Sequence, residues 1–264
     1  MTNRPIITLL TDFGTKDPYV AAMKGVILSR QPDVTLVDLT HEVPPQDIVA
    51  GAFILAEARP FFPAGTIHLA VVDPGVGTER RALAAQALGC FWVGPDNGLF
   101  HLIFQETDNL DIVSLENPRY FQDTVSPTFQ GRDIFAPVAA HLSLGTGLAD
   151  LGPSITDPAV LPWPRAVFAP EAVRGEIVYV DGFGNLLSNI RGKDLLAWGE
   201  EKSYLVILGS LTLEGLSRTY GDVQTGKFLA LIGSHGYLEI ACAQGNASRR
   251  LGVGRGRSLA VVRT

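Results

Sequence analysis

Charged residues, cysteine and long apolar runs are all scarce in this sequence of 264 residues. Charged residues make up 18%, below the roughly 25% typical of soluble proteins, whereas hydrophobic residues make up 46%. This excludes a disordered chain, which needs low hydrophobicity and high net charge. The longest strongly apolar stretch, Ile48 to Ala56, is far shorter than the roughly 18 residues of a membrane span. Such a low share of charged residues predicts that more surface is buried than in a monomer, for example at a subunit interface.

Basic residues are also few, 21 against 27 acidic residues, which gives a net charge of −6. The densest basic stretch, Arg249 to Arg257, has four arginines separated by uncharged residues. Nucleic-acid binding usually requires a denser cluster of basic residues, so no nucleic-acid partner is expected. The two cysteines indicate neither a zinc site nor a disulfide framework, and the histidines form no metal motif. With no signal peptide visible, the sequence predicts a cytoplasmic protein without metal, cofactor or membrane contact.

Two kinds of periodicity divide the chain. Residues 1–158 alternate between strand and helix patterns, which predicts an α/β domain with a mostly parallel sheet. A proline-rich linker is predicted at residues 159–170, and short β-like runs at 171–264 predict a smaller all-β, barrel-like domain. The predicted strands of the first domain are Pro5 to Leu10, Val34 to Leu39, Thr66 to Asp73, and one or two within Ala82 to Val93. Its predicted helices are Tyr19 to Leu28, Gln46 to Phe62, Asn97 to Gln105 and Asp133 to Leu144.

The first strand ends in the motif Thr11-Asp12-Phe13-Gly14. Ligands of open α/β sheets gather at the carboxyl ends of strands, where Asp12 could accept hydrogen bonds from both ribose hydroxyls. It could equally be a turn residue that caps a helix. Asp17, just before Pro18, could cap the following helix or face a ligand ammonium, and capping is the simpler interpretation.

A second polar segment follows the strand that ends at Asp73. Two glycines in Asp73-Pro74-Gly75-Val76-Gly77 allow a ligand to approach the backbone, and Arg80 comes soon after. The glycine spacing matches neither of the common phosphate-binding loops. Asp73 and Arg80 could form an active-site ion pair or a structural salt bridge.

Two turns in the second half also carry polar side chains. The turn Asp181-Gly182-Phe183-Gly184-Asn185 is compatible with a simple hairpin. It also brings together a carboxylate, an aromatic face and an amide, a set suited to an ammonium, a flat base and the edge of that base. Ser234-His235-Gly236 forms a similar turn.

These motifs, taken together and in this order, resemble the SAM hydroxide adenosyltransferases, relatives of the adenosyl halogenases fluorinase and chlorinase. The matching segments are TDFG, VDPGVG-TERR, GPDNG, TFxGRDIFAP, DGFGN and GYLEIA…QGNA. The resemblance spans nearly the whole chain. It implies an α/β domain followed by a β-barrel-like domain, and a homotrimer with active sites between neighbouring subunits. It also implies conversion of S-adenosyl-L-methionine (SAM) and water into adenosine and methionine, by attack of water on the ribose C5′.

The resemblance assigns four residues to the ribose and the methionine end of the substrate. Asp12 matches the carboxylate that holds the ribose diol. Asp17 and Asp181 match residues near the methionine end, where a carboxylate suits the ammonium. Ser234 matches a residue at the methionine carboxylate.

Four more positions match the adenine pocket of the family. Phe183 matches the residue that stacks on adenine, and Asn185 matches the residue at the edge of the base. Backbone groups around Cys242 and Gln244 match the rim of the pocket.

The water-handling triad of the family is Asp–Arg–His. Asp73 and Arg80 match its first two members at the required spacing, but Gln130 stands where the family motif TFHGRD has histidine. A Gln amide can position water through hydrogen bonds, yet it cannot shuttle a proton near neutral pH. Loss of such acid–base assistance typically slows a reaction about 10²–10⁴-fold. The sequence therefore predicts a SAM hydrolase, with activity reduced if the histidine does more than orient water.

Two alternatives remain at the level of sequence. Gln130 is compatible with a non-catalytic protein that binds SAM or adenosine. A halogenase is disfavoured, because Asp73 occupies a position where halogenases have an uncharged residue and its charge would repel a halide. The segment from Asn117 to Phe129 also lacks the insertion typical of fluorinases.

Overall fold

A computed structural model describes residues 4–199 and 204–263. The chain divides into two compact units, with the division between Leu161 and Pro162. The division falls within the predicted proline-rich segment. Each unit has its own sheet and its own hydrophobic core.

The N-terminal unit is built on a six-stranded sheet in the order β2-β1-β3-β5-β4-β6. Its first four strands in this order pair in parallel, and the last two add antiparallel pairs. The parallel region places the carboxyl ends of β1 and β3 side by side, and Asp12 and Asp73 follow these two strands. The strands are β1 (Ile6–Thr11), β2 (Thr35–Thr40), β3 (Ile67–Val71), β4 (Ala82–Ala87), β5 (Cys90–Pro95) and β6 (Leu110–Ser114).

Helices cover both faces of this sheet. On one face, Met23 and Phe135 join the apolar side chains of β1 and β3 in the main core. On the other face, Gly51 lies so close to Leu99 and Val72 that an added methyl group would clash. The helices are α1 (Tyr19–Arg30), α2 (Ile48–Ala58), α3 (His101–Phe104), α4 (Ala136–Ser143) and α5 (Leu148–Leu151), and a π-helical turn, Gly131–Phe135, leads directly into α4.

The C-terminal unit is a strongly curved sheet in which every strand pair is antiparallel. Its order is β11-β10-β14-β8-β9-β13-β12, with the short β7 also paired to β8. A bridge between Ser217 and Leu231 connects the segment after β11 to β12, so the sheet nearly closes into a barrel. The elements are β7 (Val167–Phe168), β8 (Ala172–Val180), β9 (Leu186–Arg191), α6 (Gly192–Gly199), β10 (Tyr204–Leu208), β11 (Leu211–Glu214), β12 (Phe228–Ile232), β13 (Tyr237–Cys242), α7 (Ala247–Leu251) and β14 (Ser258–Arg263).

The predicted fold class is confirmed, with local corrections. Helix α1 begins at Tyr19 with Pro18 in the N-cap position, and no side chain caps it, so the predicted capping role of Asp17 is wrong. The predicted helix from Asn97 is only the short α3, because residues before His101 form a turn in which Asn97 Nδ2 donates to the carbonyl of Val72. Strand β6 was not predicted, since its single polar–apolar alternation is brief.

Candidate functional site

The centre of the candidate site in the N-terminal unit is a hydrogen-bonded triad of Asp73, Arg80 and Gln130. Arg80 donates to both carboxylate oxygens of Asp73, with Nε 3.1 Å from Oδ1. The same guanidinium donates from Nη2 to Oε1 of Gln130 at 2.6 Å. The side chains of Arg80 and Asp73 are only 8% and 4% exposed. The structure thus brings together the three residues that the sequence analysis grouped.

Two loops hold this triad in place. Gly77, in the loop between Asp73 and Arg80, has a φ of +77° and lies so close to the carbonyl oxygen of Pro127 that a Cβ would be 2.6 Å from it. Only glycine combines this backbone conformation with such an approach. The loop that carries Gln130 is in turn fixed by buried Asp133, which accepts from the backbone N–H of Ser126 at 2.8 Å.

Burial raises the pKa of Asp73 above its ordinary value, although Arg80 acts in the opposite direction. The negative charge of Asp12 adds to this increase, so the two carboxylates lie close enough to interact. A carboxylate with a raised pKa accepts a proton more readily than an exposed one. Asp73 therefore has the character of a base, and its contacts with Arg80 leave lone pairs available.

The orientation of the Gln130 amide follows from its contact with Arg80. A guanidinium can only donate hydrogen bonds, so the amide oxygen faces Arg80 and the NH₂ group points away from it. That NH₂ group can hold a water molecule as a donor, but it cannot accept a proton from it. Of Asp73 and Gln130, only Asp73 can take a proton from water.

Asp12 lies in a tightly connected turn at the end of β1. Its Oδ2 accepts a hydrogen bond from the backbone N–H of Gln46 at 2.8 Å. Gln46 has a positive φ of 66°, a conformation uncommon for residues other than glycine. The preceding Thr11 is hydrogen-bonded through Oγ1 to Nδ1 of buried His41 at 2.9 Å. These contacts fix the turn and leave Asp12 partly exposed.

An aromatic cluster joins the Asp12 turn to the Gln130 turn. Phe13, Tyr19 and Phe129 pack edge to face, with ring centroids 5.3–6.1 Å apart. Gly131 lies against Phe13 and Met23, where a larger residue would be crowded. Asp17 is exposed in the segment between the Asp12 turn and α1, which leaves its carboxylate accessible to a ligand.

In the C-terminal unit, Asp181 organises the turn between β8 and β9. Its Oδ1 accepts from the backbone N–H groups of Phe183 and Asn185, and its Oδ2 accepts from Nδ2 of Asn185 at 2.9 Å. Three of the roughly four acceptor positions of the carboxylate are therefore used within the turn. Asn185 is buried, whereas Phe183 is 80% exposed and presents its ring to solvent. An aromatic ring held out in this way is available to stack on a planar ligand.

The remaining positions singled out in the C-terminal unit lie at the two ends of β13. Ser234 is exposed in the turn before this strand. Cys242 is buried at its other end, where Nη1 of Arg250 lies 2.9 Å from the thiol sulfur. Gln244 follows in a turn with a φ of +51°, and its Oε1 accepts from Thr225 at 3.3 Å.

Buried polar residues that no sequence pattern indicates support the site from behind. Asp133 belongs to the matched segment TFxGRDIFAP, but its burial and its hydrogen bond to a backbone N–H leave no periodic pattern in the sequence. His41 and Glu239 are buried polar residues as well, and burial of isolated polar residues cannot be read from one sequence. Among the described residues, no group of three or more His, Cys, Asp or Glu side chains is arranged to hold a metal ion. No helix in the described ranges has the length and apolar character needed to cross a membrane.

Comparison with protein families gives two matches that together cover most of the chain. The model of the SAM hydroxide adenosyltransferase N-terminal domain matches residues 7–152. The model of the corresponding C-terminal domain matches residues 175–260. The interval between the two matches contains the division between the two compact units.

Several curated proteins are similar over nearly their full length. An (R)-S-adenosyl-L-methionine hydrolase of Thermus thermophilus is 41% identical over 261 residues, which cover 96% of this chain and 97% of the relative. One from Salinispora tropica is 40% identical over 277 residues, with 99% of both chains covered. A fluorinase of Actinoplanes sp. is 31% identical, with 90% of each chain covered.

A solved structure shares the fold of the whole chain. An uncharacterized conserved protein from Thermotoga maritima superposes with a TM-score of 0.92 at 37% identity, covering 97% of this chain and 100% of the other.

Proposed function

Since the chain belongs to the SAM hydroxide adenosyltransferase family, we propose that it hydrolyses SAM to adenosine and L-methionine. The observation that supports this most strongly is the buried Asp73 carboxylate, held by Arg80 and raised in pKa. A hydrolase needs a group that accepts a proton from water, whereas a halide needs no base and would be repelled by a carboxylate. The similarity to curated hydrolases at 40–41% identity supports the same assignment.

In the proposed reaction, a water oxygen attacks C5′ of the ribose in line with the sulfonium. The new O–C5′ bond forms as the C5′–S bond breaks, and the bonding electron pair leaves with sulfur as the neutral thioether of methionine. Asp73 accepts the proton of the water, and Arg80 holds Asp73 and Gln130 in fixed positions. The sulfonium is a good leaving group, so catalysis depends mainly on alignment and on exclusion of bulk water.

We assign the substrate contacts from the family resemblance. Asp12 binds the ribose diol, and its partly exposed carboxylate beside Asp73 suits this role. Asp17 and Asp181 provide negative charge for the substrate ammonium, and Ser234 binds the methionine carboxylate.

The adenine base is assigned to the C-terminal unit. Phe183 stacks on the base, and its exposed ring supports this role. Asn185 binds the edge of the base. Backbone groups around Cys242 and Gln244 form the rim of the pocket.

The proposed assembly is a cytoplasmic homotrimer with SAM sites at subunit interfaces and no cofactor. The scarcity of charge, 18% of residues, supports buried area beyond that of one chain. Light scattering tests the assembly, and a monomer would rule out shared sites.

Product analysis tests the reaction. The protein is incubated with SAM, with and without chloride, and the products are separated by chromatography. We expect adenosine and methionine in equal amounts under both conditions. A 5′-halo-5′-deoxyadenosine would contradict hydrolysis.

A second candidate function, non-catalytic binding of SAM or adenosine, is favoured by one observation. Gln130 replaces the histidine of the family triad, and with its amide oxygen bound to Arg80 it has only hydrogen-bond donors left for a water molecule. The same incubation separates the two functions, because a binding protein would retain SAM without turnover.

A further inference from the structure

Glu239, in the matched segment GYLEIA, connects two separate segments of the C-terminal unit. It lies on β13 and is 1% exposed, yet both carboxylate oxygens have partners. Oε1 accepts from the hydroxyl of Tyr220 at 2.8 Å. Oε2 accepts from Nε2 of His235 at 3.0 Å. Breaking either hydrogen bond would leave a buried carboxylate oxygen without a partner, which costs free energy. Glu239 therefore fixes the positions of both partners.

The contact between Glu239 and His235 depends on a glycine. A Cβ at Gly233 would lie 2.4 Å from the His235 ring and 2.6 Å from Oε2 of Glu239. The turn before β13 therefore folds back so tightly that only hydrogen fits at position 233. Ser234, which carries a proposed substrate contact, lies between Gly233 and His235.

The other partner, Tyr220, lies in the segment between β11 and β12. Burial and the hydrogen bond to Glu239 raise the pKa of Tyr220 to about 12. One buried carboxylate thus connects the Ser234 turn to a distant segment of the same unit.

We propose that Glu239 is a positioning residue for the methionine end of the substrate, which holds the Ser234 turn in place through His235 and anchors it to Tyr220. This inference rests on the proposed function, because that function assigns Ser234 to the methionine carboxylate. Glu239 itself is buried and acts through its two partners. Its loss weakens recognition of the substrate carboxylate while the adenosine contacts persist.

Tyr220→Phe gives the sharpest test, because it removes one hydroxyl from a residue that is 47% exposed and does not depend on core packing. We expect the Kd and the KM for SAM to rise by up to about tenfold, because losing a hydrogen bond to a charged group costs at least that factor and the Ser234 turn receives part of the loss. The kcat at saturating SAM and the Kd for adenosine should change less than twofold. Calorimetry with SAM and with adenosine measures the two affinities separately.

Three further variants complete the test. Glu239→Gln keeps the shape and one acceptor, so its effect on SAM affinity should be smaller than that of Glu239→Leu, which removes both contacts. Tyr120→Phe, a hydroxyl deletion in the N-terminal unit, serves as the matched control and should leave both affinities unchanged. If Glu239→Leu fails to fold, Tyr220→Phe and Glu239→Gln still decide.

The outcomes separate this proposal from the proposed function. Equal weakening of SAM and adenosine binding in Tyr220→Phe, or no weakening of either, would overturn the positioning role. Wild-type protein that binds SAM without hydrolysing it would overturn the proposed function only, and the two affinities would still test Glu239. Wild-type protein that does not bind SAM would overturn both.

Discussion

Gln130 shows how one residue limits the chemistry of this site. Its amide oxygen accepts from Arg80 at 2.6 Å, so its NH₂ group is the part that remains to bind a water molecule. A donor of this kind engages one of the two lone pairs of the water oxygen and leaves the other to attack C5′. In the proposed mechanism Asp73 takes the proton, and Gln130 contributes orientation alone.

Replacement of Gln130 by histidine restores the residue type of the family motif and should raise the rate. A neutral imidazole can accept a proton from water, which Gln cannot. We expect kcat for SAM hydrolysis in Gln130→His to increase on the order of 10²-fold, the lower end of acid–base effects. Steady-state assays of adenosine release measure this. Gln130→Asn is the control with an amide but a shorter reach, and a rate for Gln130→His no higher than that of the wild type would count against the triad role of position 130.

At the residue scale, spacing predicted the Asp73–Arg80 pair but not its environment. The family resemblance matched both partners at a separation of seven residues, and the structure places them in contact. The N-cap of α1 could not be predicted. Asp17 and Pro18 have the residue types expected at an N-cap and at the first helical position, but the helix begins one residue later, with Pro18 as the N-cap. The contact of Asp12 with the backbone of Gln46 joins residues 34 positions apart, which no local pattern encodes.

Among the elements, two loops rather than a helix or strand define the triad. Asp73 and Arg80 lie in the loop after β3, and Gln130 precedes the π-helical turn before α4. The two loops meet where Gly77 approaches the carbonyl of Pro127. Strand periodicity predicted β3 and helical periodicity predicted α4, but the alignment of the two loops depends on this approach and on the hydrogen bond from Arg80 to Gln130.

Substitution of Gly77 by alanine tests that approach. The added Cβ would be 2.6 Å from the carbonyl oxygen of Pro127, so the loops must separate. We expect kcat/KM to fall on the order of 10²-fold, the effect of a displacement of about 1 Å in a catalytic group. Enzyme assays and urea unfolding measure activity and stability in parallel.

Gly145→Ala is the matched control for Gly77→Ala. Gly145 also has a positive φ, +93°, but nothing lies within 4 Å of its added Cβ. Both variants should lose about 1–2 kcal/mol of stability from the backbone conformation. Only Gly77→Ala should lose activity, and an equal loss in both would mean that backbone strain, not loop contact, matters.

On the scale of the whole molecule, stability should depend on pH through a core histidine. His68 is fully buried, stacks on Trp92 with ring centroids 4.3 Å apart, and is hydrogen-bonded through Nδ1 to Thr8 at 2.8 Å. Its Nε2 is buried and has no hydrogen-bond partner within the described ranges. Burial lowers the pKa of His68 from 6.5 to about 4.

The direction of the effect follows from proton linkage. Above pH 6.5 His68 is neutral in both the folded and the unfolded protein, and its stabilising contribution is complete. Between pH 6.5 and about 4 only the unfolded protein binds the proton, so stability falls with decreasing pH. The full loss is about 3 kcal/mol, from a change of about 1.4 kcal/mol per pKa unit.

Urea unfolding between pH 7 and pH 4 measures this loss. His68→Gln removes the titrating group, so its stability should change less with pH than that of the wild-type protein. Parallel curves for the two proteins would show that His68 does not titrate as described.

Periodicity predicted the fold class of the whole molecule, which is confirmed. The alternation of strand and helix signals, followed by short β runs, matched a mixed α/β sheet and an antiparallel, nearly closed sheet. Strand β4 falls within the predicted run Ala82 to Val93, but its antiparallel pairing with β5 and with the edge strand β6 could not be predicted, because the direction of a strand depends on which neighbour it pairs with. The net charge of −6 is compatible with the proposed substrate, whose sulfonium and ammonium are both positive.

Hydrolysis in water enriched in ¹⁸O shows whether water attacks C5′ of SAM. Wild-type protein is incubated with SAM in H₂¹⁸O and the products are analysed by mass spectrometry, with Asp73→Asn as the variant that lacks the base. We expect one ¹⁸O atom in the 5′-hydroxyl of adenosine, none in methionine, and a much slower release of both by Asp73→Asn. Adenosine without the label, or an unchanged rate in Asp73→Asn, would contradict this mechanism.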